Sequence, residues 1–558
     1  MSEFPPEVLT FGQPEQFQGW EYIPHPEVIA HPAYPHFFQR VSRVAQSTWA
    51  MNPKFDPRPY QCEAAALYCC RRGNICAGSQ GVGKTLIVGF TICGLYPKIR
   101  QMRPGTVQIV APSLLSAHSR WVEDLESIPA LAGCVAVIAN RRDWEGAQAP
   151  VWVYHRDFLT LKMDKSRRRP WLAQDLARHT PPCLLVVDEV HNFKPDSQRS
   201  KALFYLRSRS RRCLALSGTI TDARLDLIQH TCRLVYGLGW PYSTSQEFRR
   251  SIGCKELVRT RANLDEDDPD PDPSGSRYLD FVALPKLGDY FQLLTQYIHR
   301  LTLDQAKVRP YCRVPKRRDV LHGLGASPAQ YQAHRQLLQE HRGWIEQVLE
   351  YGTQKHIFSL FQPLLDLCWL PPEGTASAKF AVLRELVHSH PKTGVFVSTI
   401  ESGRWLTQAL EQEFGGQVVR LYAQDPLAEP KRLKPEQREQ VLERLLFDSH
   451  IKVGVLSLNL ASESIDLTQL SSVCFWGVNW SSLQLAQALA RAVRPGSPYP
   501  EVEVHWLYHR GLLDEHQIHL LLEKMRAGRR LLDYDPYLSE SEMQTTQEVK
   551  HILERLLT

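Results

Sequence analysis

Short apolar runs rich in β-branched residues recur along the chain, and longer segments with amphipathic helical spacing separate them. In the first half the apolar runs are Val107–Ala111, Val151–Tyr154, Leu184–Val187 and Cys213–Leu216. In the second half they are Gly394–Ser398, Val418–Tyr422, Lys452–Leu456, Ser472–Trp476 and Val502–Leu507. Apolar runs alternating with helix-length segments predict parallel strands joined by right-handed crossovers. The predicted fold is therefore α/β, with two parallel-sheet domains in tandem.

An acidic stretch separates the two halves. Asp265–Asp272 holds six acidic residues and no basic one, and alternating Pro and Asp exclude a helix interior or a central strand. We predict an exposed loop here. The predicted divisions are an irregular N-terminal extension (1–50), the first α/β domain (51–245), a mostly helical insertion containing the acidic loop (246–375), the second α/β domain (376–525) and a helical tail (526–558). Within the extension, the stretch from Phe4 to Tyr34 is predicted to lie on the first domain.

The amino-acid composition argues against membrane, secreted and zinc-ribbon proteins. No window approaches the roughly 18 apolar residues of a membrane-spanning helix, and Met1–Pro5 lacks the basic and then apolar start of a signal peptide. The thirteen cysteines include no Cys-x-x-Cys pair, so a zinc ribbon is not expected, and free thiols are typical of a reducing compartment. The protein is predicted to be cytoplasmic, without membrane contact and not secreted.

Charge is unevenly spread, although the net charge is only +6. Residues 162–212 carry thirteen Lys or Arg against five Asp or Glu. One dense cluster contains Arg167, Arg168 and Arg169. Such clusters either form a solvated surface or contact nucleic-acid phosphates, and we predict phosphate contact for these three residues.

Gly78-Ser79-Gln80-Gly81-Val82-Gly83-Lys84-Thr85 matches the phosphate-binding loop pattern in full. Glycines let successive backbone N–H groups turn toward phosphates, and the following helix adds its positive N-terminal end. Lys84 is predicted to neutralise the β- and γ-phosphates, and the Thr85 hydroxyl to bind Mg²⁺. The predicted nucleotide-binding residues of the loop are Gly78, Gln80, Gly81, Val82, Gly83, Lys84 and Thr85.

Two adjacent carboxylates end an apolar strand farther along the chain. Leu184–Val187 runs directly into Asp188 and Glu189. Two carboxylates at the end of a buried strand are costly unless they meet a cation, which Mg²⁺ bound to a nucleotide supplies. We predict that Asp188 holds Mg²⁺ and that Glu189 polarises the attacking water. His191 is a candidate to link the nucleotide to the next motif.

With these two motifs the chain resembles the superfamily 2 helicases and translocases, and further motifs agree in order. The resemblance implies two RecA-like domains, ATP and Mg²⁺ as cofactors, and ATPase activity. In the first half it implies adenine recognition by Tyr60 and Gln61, nucleic-acid contact by Pro112 and Ser113, and coupling through Ser217, Gly218 and Thr219. In the second half it implies nucleic-acid contact by Ser457 and Trp480, coupling through Asp466, and catalytic roles for Gln487, Arg491 and Arg494.

The branch that the chain resembles most is the Snf-type group of double-stranded DNA translocases. The segments that carry this resemblance are His191–Lys194, Lys316–Leu321, Ala326–Tyr331 and Val504–Glu515. The chain departs from the branch at Gly78–Gln80, where acidic residues are usual, and at Ala461-Ser462, where two glycines are usual. The resemblance implies movement along duplex DNA with little sequence preference, and possible protein partners that recruit the motor. A strand-separating helicase, an ATP-gated nucleic-acid-binding switch and RNA remodelling remain alternatives.

Overall fold

The structure is a computed structural model. It describes residues 7–9, 31–52, 57–113, 121–161, 172–195, 197–218, 225–251, 256–258, 279–281, 293–303, 305, 308–351, 357–371, 377–422, 435–461 and 465–532. The predictions for Arg167, Arg168, Arg169, Thr219, the acidic loop 265–272 and the end of the C-terminal tail lie outside the described residues.

The first sheet has seven parallel strands. From one edge to the other they are Ile298–Leu301, Gly73–Gly78, Arg212–Ser217, Leu184–Val187, Val107–Ala111, Val151–His155 and Val135–Val137. All four apolar runs predicted in this half are strands. Along Gly73–Gly78, Ile75 and Ala77 belong to one hydrophobic core and Cys76 to another, because helices cover both faces of the sheet.

The second sheet also has seven strands, of which six are parallel. In order they are Glu7–Leu9, Lys316–Leu324, Glu501–His509, Ser472–Phe475, Thr393–Val397, Val453–Ser457 and Val418–Leu421. All five predicted runs of this half are strands. The two α/β domains predicted from the hydrophobic pattern are confirmed.

The N-terminal extension differs from its prediction. Glu7–Leu9 pairs antiparallel with Lys316–Leu324, with Glu7 opposite Leu321, so this part of the extension joins the second sheet and does not lie on the first domain. Helix Tyr34–Met51 is regular, and its buried Val41 packs in a core of the first domain. Residues 1–50 are therefore not uniformly irregular.

The intervening segment contains the three helices Pro328–Glu340, Arg342–Tyr351 and Ile357–Trp369. It also contributes strand Ile298–Leu301 to the first sheet and strand Lys316–Leu324 to the second. The chain thus passes from one sheet to the other between Leu301 and Lys316, inside the segment predicted to be a mostly helical insertion.

The remaining helices pack on the two sheets. In the first half they are Pro59–Cys70, Lys84–Leu95, Glu123–Glu126, Arg141–Gly146, Leu172–His179, Gln198–Ser208, Leu225–Tyr236 and Ser245–Ser251. In the second half they are Ala378–Ser389, Ile400–Phe414, Pro435–Phe447, Leu458–Ala461, Ser482–Ala492 and Leu513–Leu532. Within the described ranges, no helix combines the length and the apolar character needed to span a bilayer.

Candidate nucleotide site between the two sheets

The phosphate-binding loop connects the buried strand Gly73–Gly78 to helix Lys84–Leu95. Gly81 and Gly83 have φ values of 91° and 79°, in the left-handed region that residues with a Cβ rarely adopt. The Lys84 Nζ donates to the carbonyl oxygens of Gly78 at 2.9 Å and Ser79 at 3.4 Å. The loop therefore has the backbone shape and the cation that a phosphate requires.

Tyr60 and Gln61 hold this loop from helix Pro59–Cys70. The Tyr60 hydroxyl donates to the Val82 carbonyl oxygen at 2.9 Å, and the Gln61 side-chain nitrogen donates to the same oxygen at 3.1 Å. The Gln61 side-chain oxygen accepts from the Arg58 backbone N–H at 3.0 Å. Burial raises the pKa of Tyr60 above its usual value, so its hydroxyl stays protonated and donates. Both residues thus position the loop, and recognition of adenine by Gln61 stays a prediction.

Asp188 and Glu189 lie where strand Leu184–Val187 ends. The Trp121 indole N–H donates to Asp188 Oδ2 at 3.1 Å, and the Glu189 backbone N–H donates to Oδ1 at 2.9 Å. Glu189 is 8% exposed, and its φ of 46° makes it the one non-glycine residue with left-handed backbone in the described part of the chain. Such a conformation costs roughly 1–2 kcal/mol, and strained residues of this kind cluster at functional sites.

Trp121 follows the predicted nucleic-acid motif in the sequence, but its contact with Asp188 was not predicted. Its ring is buried at 2% exposure, and its indole N–H fixes the orientation of the Asp188 carboxylate. The residues between Trp121 and the strand Val107–Ala111 gave no signal for this contact, because Trp121 and Asp188 lie 67 positions apart.

His191 connects three parts of the molecule. Its Nδ1 lies 2.8 Å from the Ser217 hydroxyl and 3.4 Å from Glu189 Oε2, while its Nε2 lies 2.9 Å from the side-chain nitrogen of Gln487. Because an amide nitrogen can only donate, His191 Nε2 accepts and the ring proton sits on Nδ1. The imidazole therefore joins Glu189 and the third motif of the first domain to a residue of the second domain.

Gly218 brings the third motif against the loop. A Cβ at this position would lie 3.4 Å from the Gly78 carbonyl oxygen and 3.5 Å from Gln80 Cγ. The chain after strand Arg212–Ser217 therefore approaches the phosphate-binding loop closely, and the coupling role of Ser217 and Gly218 stays a prediction.

The second domain reaches the site through helix Ser482–Ala492. Gln487 and Arg491 are one turn apart on the same face of the helix, and both are 4% exposed. Arg494 lies two residues beyond the end of the helix and is half-buried. Beyond Arg494, a Cβ at Gly81 would lie only 2.8 Å from Pro495 Cδ. The end of this arginine-bearing segment thus packs directly on the phosphate-binding loop.

The predicted nucleic-acid contacts lie elsewhere on the two domains. Pro112 and Ser113 follow strand Val107–Ala111, and Ser457 ends strand Val453–Ser457. Trp480 is half-buried and stacks on Phe361, with ring centroids 5.1 Å apart, so one face of its ring is already covered. DNA contact by these residues stays a prediction.

Asp466 was predicted to couple hydrolysis to nucleic-acid contact. Its side chain is exposed, and its Oδ1 accepts from the Thr468 backbone N–H at 3.0 Å. This bond closes a short turn that contains the buried Leu467, whose N–H donates to the Arg491 carbonyl oxygen at 3.1 Å. The turn therefore touches the backbone of the arginine helix, and the coupling role stays a prediction.

A comparison with known protein families finds a match in the second domain. Residues 378–496 match the family described as helicase conserved C-terminal domain. This part of the chain is similar to helicase C-terminal domains. The match includes Gln487, Arg491 and Arg494, and it confirms the helicase and translocase resemblance inferred from the motifs. No curated protein sequence matches the chain.

The solved structures that the chain matches include an ATPase core and a helicase. The Sulfolobus solfataricus SWI2/SNF2 ATPase core in complex with dsDNA is 19% identical over 89% of this chain and 96% of that chain, with a TM-score of 0.34. Mycobacterium smegmatis helicase Lhr bound to ssDNA and AMP-PNP is 14% identical over 87% of this chain and 50% of that chain, with a TM-score of 0.48. These identities and TM-scores are too low to indicate a substrate or a mechanism.

The Gln487–His191 contact gives a direct test of the link between the domains. Gln487→Ala is expected to lower nucleic-acid-stimulated ATP hydrolysis roughly tenfold, because it removes a buried hydrogen bond worth about 1–2 kcal/mol. In a double-mutant cycle, His191→Ala should add little to Gln487→Ala. Gln408→Ala, on an exposed position of the same domain, is the control. Full additivity of the two substitutions would contradict a shared role.

Proposed function

We propose that the chain is an ATPase that uses the hydrolysis of Mg²⁺-bound ATP to move along double-stranded DNA. The observation that carries this proposal is the hydrogen bond between His191 and Gln487. It joins the residue next to the candidate catalytic carboxylate to the arginine-bearing helix of the second domain. A change at the nucleotide can therefore alter how the two domains sit against each other.

The side chains at the loop fit ATP and Mg²⁺. Lys84 Nζ now bonds loop carbonyls, and these are bonds that a phosphate can replace. Thr85 follows Lys84 at the start of its helix, and Asp188 has a carboxylate oriented by Trp121; both offer the oxygen ligands that Mg²⁺ prefers. Bound Mg²⁺ would neutralise phosphate charge. Glu189 would orient the attacking water, and Arg491 and Arg494 would stabilise charge on the transferred phosphoryl group.

Duplex DNA is favoured by the Snf-type segments of the sequence. Two domains that grip phosphates alternately advance whenever ATP closes and opens their cleft, and such binding reads little sequence. Strand separation additionally requires a wedge that unstacks bases at about 1.4 kcal/mol per step.

A strand-separating helicase is the second candidate function because the structure contains a small two-stranded sheet. Glu256–Val258 pairs antiparallel with Leu279–Phe281 in a separate two-stranded sheet, an element that strand-separating wedges can use. The sequence between these strands includes the six acids of Asp265–Asp272, however, and their charge would repel DNA phosphates. Movement along the intact duplex is therefore favoured over strand separation.

Two substrates distinguish the candidates. The protein is expected to displace the third strand of a triplex in an ATP-dependent reaction, and to unwind a forked duplex at least about tenfold more slowly, because it tracks the duplex without paying the unstacking cost. Strand release is measured by fluorescence, and Lys84→Ala serves as the ATP-deficient control. Robust unwinding without triplex displacement would favour the helicase. ATP consumption independent of duplex length would favour a switch.

A further inference from the structure

Three potential metal ligands converge near the amino-terminal edge of the second sheet, away from the nucleotide site. Glu503 and His505 lie two positions apart on strand Glu501–His509 and therefore face the same side. His390 ends helix Ala378–Ser389, just before strand Thr393–Val397. His390 Nε2 lies 3.3 Å from Glu503 Oε2, and His505 Nε2 lies 3.4 Å from the same oxygen. One ligand atom from each residue lies within 4.8 Å of the other two.

The other polar atoms of these side chains are already engaged. His390 Nδ1 lies 3.0 Å from the Leu386 carbonyl oxygen, which can only accept, so Nδ1 carries the proton and Nε2 has a lone pair. Arg318 donates to Glu503 Oε1 at 2.7 Å, which leaves Oε2 facing the histidines. His505 Nδ1 contacts His322 Nε2 at 3.1 Å. Metal-binding histidines in proteins are oriented in this way by a partner on the second ring nitrogen.

Hydrogen bonds among the described residues leave one buried atom of the cluster unsatisfied, the Nε2 of His505. Its side chain is 3% exposed, and its Nε2 has no hydrogen-bond partner among the described residues. Its Nδ1 is engaged by the contact with His322 Nε2, so Nε2 is the nitrogen of this buried ring that a cation beside the Glu503 oxygen can reach. A buried polar nitrogen without a hydrogen-bond partner is costly, and a cation bound by this nitrogen and the carboxylate oxygen would remove the cost.

We propose that His390, Glu503 and His505 bind one divalent transition-metal ion, for which Zn²⁺ is the best fit. Zinc bound tetrahedrally at about 2.0–2.1 Å from nitrogen and oxygen places neighbouring ligand atoms roughly 3.4 Å apart. The separations of 3.3 Å and 3.4 Å agree with this geometry. Two imidazoles select against Mg²⁺ and Ca²⁺, which prefer oxygen ligands. Glu503 is 24% exposed, so water can reach the fourth position.

The bound ion would tie the end of helix Ala378–Ser389 to strand Glu501–His509. These elements are more than a hundred residues apart in the sequence, and the ion would hold them together across the start of strand Ser472–Phe475, which lies between Thr393–Val397 and Glu501–His509 in the sheet. The role is structural and does not depend on the motor activity proposed above. Arg318 beside Glu503 opposes a cation electrostatically, which favours one bound ion over a cluster.

The test uses the full-length protein after chelator treatment, titrated with Zn²⁺ and, separately, with Co²⁺. We expect one equivalent to bind, a rise in melting temperature with Zn²⁺, and visible Co²⁺ absorption typical of a four-coordinate site. His390→Gln and Glu503→Gln, both at partly exposed positions, should weaken Zn²⁺ binding by at least about tenfold. His388→Gln is the matched control, because His388 is exposed on the same helix and lies outside the cluster.

Circular dichroism of the metal-free variants separates loss of a ligand from loss of the fold. Native-like spectra with weakened binding in His390→Gln and Glu503→Gln alone would support the site. Equal Zn²⁺ binding by all variants would show that other histidines or cysteines hold the ion, and would overturn the proposal. Absence of stoichiometric binding to the wild-type protein, or equal competition by Mg²⁺, would overturn it as well.

Discussion

Replacing Glu189 by Gln is expected to lower ATP turnover by roughly a hundredfold to a thousandfold while Mg²⁺-bound ATP still binds. Gln keeps the size of the side chain in its left-handed backbone position but cannot attract a proton from the attacking water. Losses of this size follow when one electrostatic or positioning group is removed from a transition state. Steady-state ATP hydrolysis with saturating DNA, together with equilibrium binding of a fluorescent ATP analogue, measures both quantities.

Two further variants sharpen this experiment. Lys84→Ala should also abolish hydrolysis but by weakening nucleotide binding, because it removes the cation that faces the phosphates. Glu123→Gln, at an exposed position of the same domain, should behave like the wild-type protein. Normal turnover by Glu189→Gln would show that the carboxylate next to Asp188 is not the catalytic one.

Replacing Arg494 by Ala is expected to leave ATP affinity within about threefold of the wild-type value and to remove most DNA-stimulated hydrolysis. Arg494 precedes Pro495, which packs on Gly81 of the phosphate-binding loop. An arginine supplied across a cleft typically contributes about a thousandfold or more in turnover, because it stabilises charge on the transferred phosphoryl group. ATP affinity and turnover, each measured with and without DNA, distinguish loss of binding from loss of catalysis.

Arg494→Lys tests whether catalysis depends on the planar, two-pronged guanidinium group. Lysine keeps the charge but cannot contact two phosphate oxygens in parallel, so it should recover little activity. Arg491→Ala should show a smaller effect. Arg384→Ala, exposed on helix Ala378–Ser389, is the control for a lost surface charge. Wild-type stimulation by DNA in Arg494→Ala would mean that the two domains do not form one composite site.

The local motifs could be predicted from the sequence because their chemistry depends on near neighbours. The phosphate-binding loop Gly78–Thr85 needs glycines, a lysine and a hydroxyl at short fixed spacings, and the structure shows the left-handed glycines and the lysine contacts that this spacing implies. The central strands could also be predicted from the sequence, since parallel strands buried on both faces are nearly continuous apolar runs.

Two strands with fewer apolar residues were not predicted, because the prediction depended on continuous apolar runs. Lys316–Leu324 begins with Lys-Arg-Arg-Asp, and its first residues are largely exposed. Its Asp319 is buried but accepts from Arg317 at 2.6 Å and from the Trp506 indole N–H at 2.8 Å. Ile298–Leu301 carries buried His299 and Arg300. A pattern of apolar residues cannot show that such polar side chains find partners inside the fold.

The sequence by itself thus determined the two α/β domains, the phosphate-binding loop and the paired carboxylates, because contiguous residues encode these features. Only the tertiary structure decided which distant side chains meet. His191 contacts Gln487 across 296 positions, and His390 meets Glu503 and His505 where the end of a helix reaches a strand from much later in the chain. No spacing in the chain predicts such contacts, since they depend on the order of the strands in the sheet and on the packing of one domain against the other.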